Sequence, residues 1–359
     1  MFDESRCVVT FNESTTGIQS IRIMSESSTK TDEIRNGLDE ESLDLFWQFI
    51  GERQKVWYRR VVEGRPAPWT GDEILQEYRF TNVYRELDPG TQYVIQDILE
   101  EDASRRDKIF NVMIYRLIGR LETHEYLGFQ SLDSFDAAEF EEQLKHRRDE
   151  LGETVFTGAY MVSGYNQMGS SDKVENVAAL FEEITDETTS FDNILSTRSM
   201  KGAYDLIRSQ PGFGNFLSYQ VIVDLLYPVD YYDGGSVLPF SPDDWSSPGP
   251  GAQKGLNQLV TEFNGFTRLD VMRWLRQNQQ KEFDRLDLEF PYLETEDGGR
   301  LELSLANIQN CLCEFYKYHK ILHSNGRARR CFRNDEARSC DELRDMYETA
   351  PLIRLPNSF

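Results

Sequence analysis

Five aspartates, Asp224, Asp230, Asp233, Asp243 and Asp244, follow a Pro211-Gly212-Phe213-Gly214 turn. A carboxylate so placed could stabilise developing positive charge or activate a nucleophile. The turn would supply the other half of such a site. Gly212 and Gly214 leave backbone N–H groups open to a phosphate at the start of the next helix, an approach that side chains would block. Plainer roles compete. Asp224 falls within the helix that follows, and Asp230 and Asp233, just beyond it, suit capping or turn formation equally well.

A second constellation runs through Trp57-Tyr-Arg59-Arg60 and Tyr78-Arg79-Phe-Thr-Asn82-Val-Tyr-Arg85-Glu-Leu-Asp88. Aromatics interleaved with arginines suit stacking on bases while guanidinium groups hold phosphates or carboxylates. Core packing is the competing account for Trp57, Phe80 and Tyr84. Arg79, Asn82, Arg85 and Asp88, close together in an aromatic stretch, must be paired or used. Gly249-Pro250-Gly251 with Lys254 reads as a rigid loop able to hold a phosphate, but the Gly-x-x-x-x-Gly-Lys-Ser/Thr loop that serves transfer from ATP is missing from the sequence. Glu314 and Lys317 share a helix with Cys311, Cys313, His319 and His323, and read as a buried ion pair or as polar contacts in a pocket. Cys-x-Cys on a helix sets its thiols about 200° apart, so neither a metal nor another cofactor is expected.

These residues must be positioned by helices. Apolar positions from Leu43 to Trp57 recur at helical spacing over Glu40–Val62, and Thr70-Gly-Asp-Glu73 reads as a capping box opening the next helix. Further helices are expected over 90–100, 105–122, 134–148, 172–186, 198–208, 214–226, 267–278 and 301–323, with a strand at Val155–Ser163. Five prolines between Tyr227 and Gly255 predict a long constrained loop. Residues 1–38, polar and aperiodic, read as a flexible leader in which Met24 could be the true start; 39–325 read as one domain, and 326–359 as a basic then irregular tail.

The 359 residues carry a formal charge of −23, with 29 Arg against 10 Lys, so a nucleic-acid partner must be met by local patches such as Arg53–Arg65, Lys145–Arg148 and Arg327–Arg333. An acidic, lysine-poor surface also suits a salt-loving host. Apolar runs fall short of the roughly 20 residues that a membrane span needs, the N-terminus lacks a secretory pattern, and five scattered cysteines do not form a disulfide framework. A cytoplasmic protein without membrane contact is the expectation.

The run Trp57–Asp88, the Pro-Gly-Phe-Gly hairpin, Gly249-Pro-Gly-Ala-Gln-Lys-Gly255 and Asn307-Ile-Gln-Asn-Cys-Leu-Cys-Glu-Phe-Tyr-Lys317 together resemble the DNA base hypermodification proteins. These comprise the helical domain associated with 5-hydroxymethyldeoxyuridine DNA kinases and the alpha-glutamyl/putrescinyl-thymine pyrophosphorylases. The resemblance implies a mainly α fold similar to helix-hairpin-helix DNA glycosylases, with few short strands. It also implies DNA containing modified pyrimidines as partner, alongside other enzymes of a base-modification pathway or an antiphage defence system. Catalysis would fall to an acid among Asp224, Asp230, Asp233, Asp243 and Asp244. Gly212, Gly214, Gly249, Gly251, Lys254, Arg59 and Arg60 would hold phosphates, and Trp57, Arg79, Asn82, Arg85, Asp88, Glu314 and Lys317 would line a base pocket. No lysine stands where a glycosylase/lyase nucleophile would. Two chemistries fit a flipped base, N-glycosidic cleavage or exchange at the 5-methylene group, and a non-catalytic reader of modified DNA is the alternative.

Overall fold

The computed structural model describes residues 30–295, 298–324, 331–332 and 339–348. The chain is mainly helical: α1 (30–36), α2 (Glu40–Trp57), α3 (Glu73–Glu77), α4 (Pro89–Tyr93), α5 (Arg105–Ile118), α6 (Leu121–Leu127), α7 (Ala137–Lys145), α8 (Lys173–Asp186), α9 (Thr189–Ser196), α10 (Met200–Arg208), α11 (Asn215–Asp224), α12 (Pro250–Leu259), α13 (Arg268–Arg285), α14 (Leu305–Ser324) and α15 (Cys340–Glu348). Wider π turns extend α2 to Val62, α4 to Leu99 and α7 to Glu150. A short antiparallel pair, β1 (Leu293–Glu294) and β2 (Arg300–Leu301), joins α13 to α14.

Two apolar cores divide the chain. One is built by residues between Tyr93 and Leu238 and touched by Ala306; the other by residues 34–87 together with 252–347. The middle lobe forms around α5, in which every residue from Lys108 to Ile118 is buried, the pattern of a helix enclosed on all sides. Gly119 ends it in the left-handed conformation (φ 70°), so the expected helix 105–122 breaks there and restarts as α6. In the outer lobe α12 crosses α14 at close range. A methyl on Gly251 would overlap the Cys313 thiol, and one on Gly255 the Leu312 carbonyl, so these glycines set how near the two helices lie.

Several expectations are corrected. Asp72, not Thr70, caps α3: its carboxylate accepts from Leu75 N (2.9 Å), while Thr70 Oγ1 takes the Asp72 amide (3.0 Å) in the turn before. Val155–Ser163 is not a strand, because no neighbouring strand offers it a ladder; Thr157 N instead bonds the Ile118 carbonyl at the end of α5. The loop after Tyr227 gives way to α12 at Pro250, where a fixed φ and missing N–H suit a first turn. Residues 30–38 belong to the folded body rather than to a leader: Ile34 and Leu38 are buried, and Trp274 Nε1 bonds the Thr31 carbonyl (3.1 Å). The tail is not irregular over α15. Arg344 donates to the Val61 and Val62 carbonyls (3.0 and 3.1 Å) at the end of the extended α2, and buried Tyr347 stacks edge-on against Trp57. Residues 1–29, with Met24, and Arg327, Arg329, Arg330 and Arg333 lie outside the described residues. Among those described, no helix is long and apolar enough to cross a membrane.

Two consequences are measurable. Gly255→Ala should cost about 1–3 kcal/mol in chemical denaturation through overpacking, whereas Gly71→Ala, with open space around it, should stay within about 0.5 kcal/mol. The second concerns His124, whose Nδ1 meets the Tyr93 hydroxyl (2.8 Å) and whose burial lowers its pKa from 6.5 to about 4. The unfolded chain therefore binds more protons between those values, so this stabilisation is complete above pH 6.5 and is lost as pH falls towards 4. The loss amounts to roughly 3 kcal/mol, read as the pH-dependent part of the difference in urea midpoint between wild type and His124→Gln.

Candidate functional site

The extended segment from Arg79 to Arg85 has no strand beside it, and its backbone is satisfied by side chains of α14. Lys317 Nζ donates to the Arg79 carbonyl (2.7 Å), Glu314 Oε2 accepts from Thr81 N (3.0 Å), Asn310 Nδ2 donates to the Asn82 carbonyl (3.1 Å), and Asn307 Oδ1 accepts from Arg85 N (2.9 Å). Positions 307, 310, 314 and 317 fall on one helical face, so the segment runs antiparallel along it as a strap. Glu314 and Lys317 also pair with each other (2.6 Å). Asn82 turns inward to the Leu87 carbonyl (2.7 Å), and Arg79 and Asp88 are exposed. Cys311 and Cys313 are pushed up to about 11 by burial, so both stay protonated thiols near neutrality. The His319 and His323 rings lie 4.2 Å apart between centroids, with their planes tilted by 44°.

The strap delivers Arg85 to the seam between the lobes. There Asp224, fully buried at the end of α11, receives both Nε and Nη2 (2.7 Å) of Arg116 from α5, and Arg85 Nη2 at 3.5 Å. Arg85 Nη1 also reaches Gln220 Oε1 (2.8 Å), and Asn307 Nδ2 reaches Glu86 (3.3 Å). Burial opposes the charge on Arg116, but the Asp224 carboxylate outweighs it and holds the guanidinium above its ordinary pKa. Burial raises Glu86 and raises Tyr227 well above 10, the latter helped by the charge of Glu86. Two cations thus share one buried carboxylate, and the buried Arg85 Nε has no hydrogen-bond partner among the described residues.

Of the five aspartates, only Asp224 reaches this seam. Asp243 caps α14 through Leu305 N (2.7 Å) and pairs with Arg276 (2.9 Å), while Asp244 closes its own turn on Ser241 N (3.0 Å). Asp230 and Asp233 lie in an exposed turn held by Glu100, whose two carboxylate oxygens accept from Asp230 N and Tyr231 N (2.7 and 2.9 Å). Tyr231 of that turn covers Lys108, eight residues before Arg116 and so about 12 Å along α5 from the seam.

The glycine-rich turns do converge. Gly212 adopts φ 79°, and a methyl there would overlap Leu180, so the hairpin between α10 and α11 requires glycine. Gly214 and Gly249 begin α11 and α12, and neither helix start has a side-chain cap. Asp39, Asp72, Ser104, Asp136, Asp172 and Ser199 cap α2, α3, α5, α7, α8 and α10. Phe216, in the first turn of α11, approaches Gly249, stacks edge-on with Tyr160, and through the Tyr160 hydroxyl is linked to the Arg116 carbonyl (2.5 Å). Burial raises the Tyr160 hydroxyl to about 12, with the charge of Arg116 opposing the shift and those of Asp224 and Asp88 assisting it. Gly249-Pro250-Gly251 is a helix start rather than a loop, and Lys254 lies over Tyr316 (5.2 Å).

The remaining residues stand apart. Trp57 packs in the outer core, Arg59 bonds Glu52 (2.7 Å) and the Trp69 carbonyl (2.6 Å), and Arg60 lies over the Trp69 ring (5.0 Å). Sequence reasoning missed Arg116, Gln220, Asn307, Gln309 and Phe216. Arg116 had a legible signal, a charge inside the run Val112–Ile118 that is otherwise apolar or aromatic, which demands a buried partner. The others carried no signal until α11, α12 and α14 were placed.

The comparisons with known proteins extend through both lobes and the seam. The family described as 5-hmdU DNA kinase, helical domain, matches residues 40–328. The 5-hmdU DNA kinase of Bacillus phage SP10 is 33% identical over 308 residues, which are 81% of this chain and 47% of that relative, so the chain spans about half the relative's length. No solved structure matches. The strap, the hairpin and the α12–α14 crossing all lie inside the matched region, and the chain belongs to the 5-hmdU DNA kinase helical-domain family.

Proposed function

We propose that this chain processes DNA bearing 5-substituted pyrimidines, taking the modified nucleotide out of the stack and exchanging the group on its 5-methylene carbon. Flipping is needed because a stacked base hides the reacting atoms. One observation carries the reading: α11 joins an uncapped start, behind its Gly-x-Gly hairpin, to a far end about 14 Å away where Asp224 holds two arginines. The first-turn amides of α11 suit a backbone phosphate. With a formal charge of −23, DNA binding rests on such local donors.

Exchange is favoured over N-glycosidic cleavage, which needs an acid beside the sugar. Asp224 is locked between arginines, Asp243 and Asp244 are caps, and Asp230 and Asp233 stand at the far end of α5. Exchange needs a displaceable group instead. Hydroxide leaves a methylene poorly, whereas a phosphoryl ester leaves well. The lone pair of an amine forms the new C–N bond, the C–O bond breaks with its electrons going to the phosphoryl oxygen, and the amine proton passes to Asp88 or to water. The relative's name, a 5-hmdU DNA kinase, fits an enzyme that would make such esters. Phosphorylation itself is not assigned to this chain, whose sequence lacks the ATP-binding loop motif.

The test is to incubate the protein with DNA carrying 5-hydroxymethyluracil or its phosphoryl ester, with a mixture of amino acids and short diamines, and to analyse nucleosides and released bases by mass spectrometry. A nucleoside of changed mass is expected from the ester. Free base would establish cleavage instead, and tight binding without product would make the chain a reader of modified DNA. Asp230→Asn and Asp233→Asn should leave the yield unchanged. Asp224→Asn should lose about 3–5 kcal/mol of stability in denaturation, because it leaves buried arginines without their counter-charge.

A further inference from the structure

Asp and Glu make up 62 of the chain's 359 residues, about one in six, yet they are nearly missing from one connected part of the fold. α12 has none, residues 78–85 of the strap have none, and α14 has Glu314 alone. Glu314 is already engaged, by Lys317 Nζ (2.6 Å) and Thr81 N (3.0 Å). Of the flanking acids, Asp72 accepts from the Tyr318 hydroxyl (2.6 Å), and Glu77 stands two residues before Arg79.

Cations gather where the acids are missing. Lys254 of α12 lies over the Tyr316 ring of α14, 5.2 Å from its centroid. Lys320 follows Tyr316 by one turn on the same face, and the strap brings Arg79 beside that turn through its carbonyl, held by Lys317 (2.7 Å). Arg79, Lys254 and Lys320 are exposed, and none of them makes an ion pair with a described residue. The basic run on α7 is different, being neutralised where it stands: Lys145 pairs with Glu141 (2.8 Å), Arg147 with Glu153 (2.7 Å) and Arg148 with Asp172 (2.7 Å). In a chain of formal charge −23, three neighbouring cations without acids mark a surface for an anion from outside. From Cys313, which lies against Gly251, to Lys320 this surface runs about 10 Å along α14, the axial reach of about three nucleotides of one strand.

We propose that this shoulder of α12 and α14 carries the backbone of one DNA strand, with Lys254, Lys320 and Arg79 as its phosphate contacts. The proposal rests on the reading of this chain as a DNA-processing protein and adds to it the surface that holds the DNA. Contacts to phosphates fix position and carry no base information, so the track serves modified and unmodified DNA alike.

Fluorescence-anisotropy titrations of a labelled duplex between about 50 and about 200 mM salt test it, because each phosphate contact contributes about 0.9 to the slope of log affinity against log salt. The proteins compared are wild type, the triple variant Arg79→Gln, Lys254→Gln, Lys320→Gln, and a control with Lys145→Gln and Arg148→Gln. The triple variant should have a slope shallower by about 2–3 and, at the lowest salt, at least about tenfold weaker binding, while the control keeps the wild-type slope. The loss should be equal on duplexes with thymine and with phosphorylated 5-hydroxymethyluracil. Lys320→Gln alone, which removes no contact with a described residue, should melt with wild type and still lower the slope by about 0.9. Wild-type binding whose slope is unchanged in these variants overturns the track and leaves the proposed exchange standing. A loss confined to the phosphorylated duplex also overturns it, since the cations would then meet the base substituent. A wild type that binds heparin but no duplex overturns both the track and the DNA function. Salt-dependent duplex binding that needs the three cations, with no altered nucleoside formed, keeps the track and removes the exchange.

Discussion

The buried group of Asp224, Arg116 and Arg85 is the interaction on which the arrangement depends. A carboxylate with no solvent exposure is tolerable only when paired, and here it draws one arginine from the last turn of α5 and another from the strap along α14. That requirement fixes the end of α11 against both lobes. The beginning of α11 is then held at the opposite end of a ten-residue helix, where the Gly212 hairpin leaves its amides uncapped. A charge pair that contributes little net stability can still set register, because any other placement of α11 would bury an unpaired ion.

A second constraint works through the absence of side chains. Gly251 and Gly255 let α12 sit on the Cys313 and Leu312 positions of α14, and this close crossing carries the start of α12 to Gln309 and Phe216. The uncapped starts of α11 and α12 are thus neighbours because of contacts made elsewhere. On α14, one face is a mould for the strap and another receives α12. The Asn307–Lys317 run therefore serves architecture first, and positions Arg85 through it.

Most of the helices were legible because apolar periodicity is a local property. The interruptions were less so. Thr70 and Asp72 are both good caps, and only the backbone distinguishes which of them begins α3; prolines at 248 and 250 read as a loop although one of them opens α12. The candidate site was legible in part. The hairpin glycines, Arg85 and Asp224 were singled out by type and spacing, and the fold brings Arg85 and Asp224 together. The role expected of the acids was a different matter: sequence shows a carboxylate but not its neighbours, and Arg116 lies 108 positions from Asp224. Gln309 and Phe216 acquire meaning only from a crossing of helices that no local pattern records.

The central claim is that the uncapped start of α11, behind its glycine hairpin, and the neighbouring start of α12 form the surface that meets modified DNA. Hydrogen–deuterium exchange with and without a duplex carrying phosphorylated 5-hydroxymethyluracil tests it most directly. The account predicts slowed exchange concentrated at the amides of 215–217 and 251–252. Unchanged exchange there, with protection instead over Arg59 to Arg65 or along α7, would contradict it.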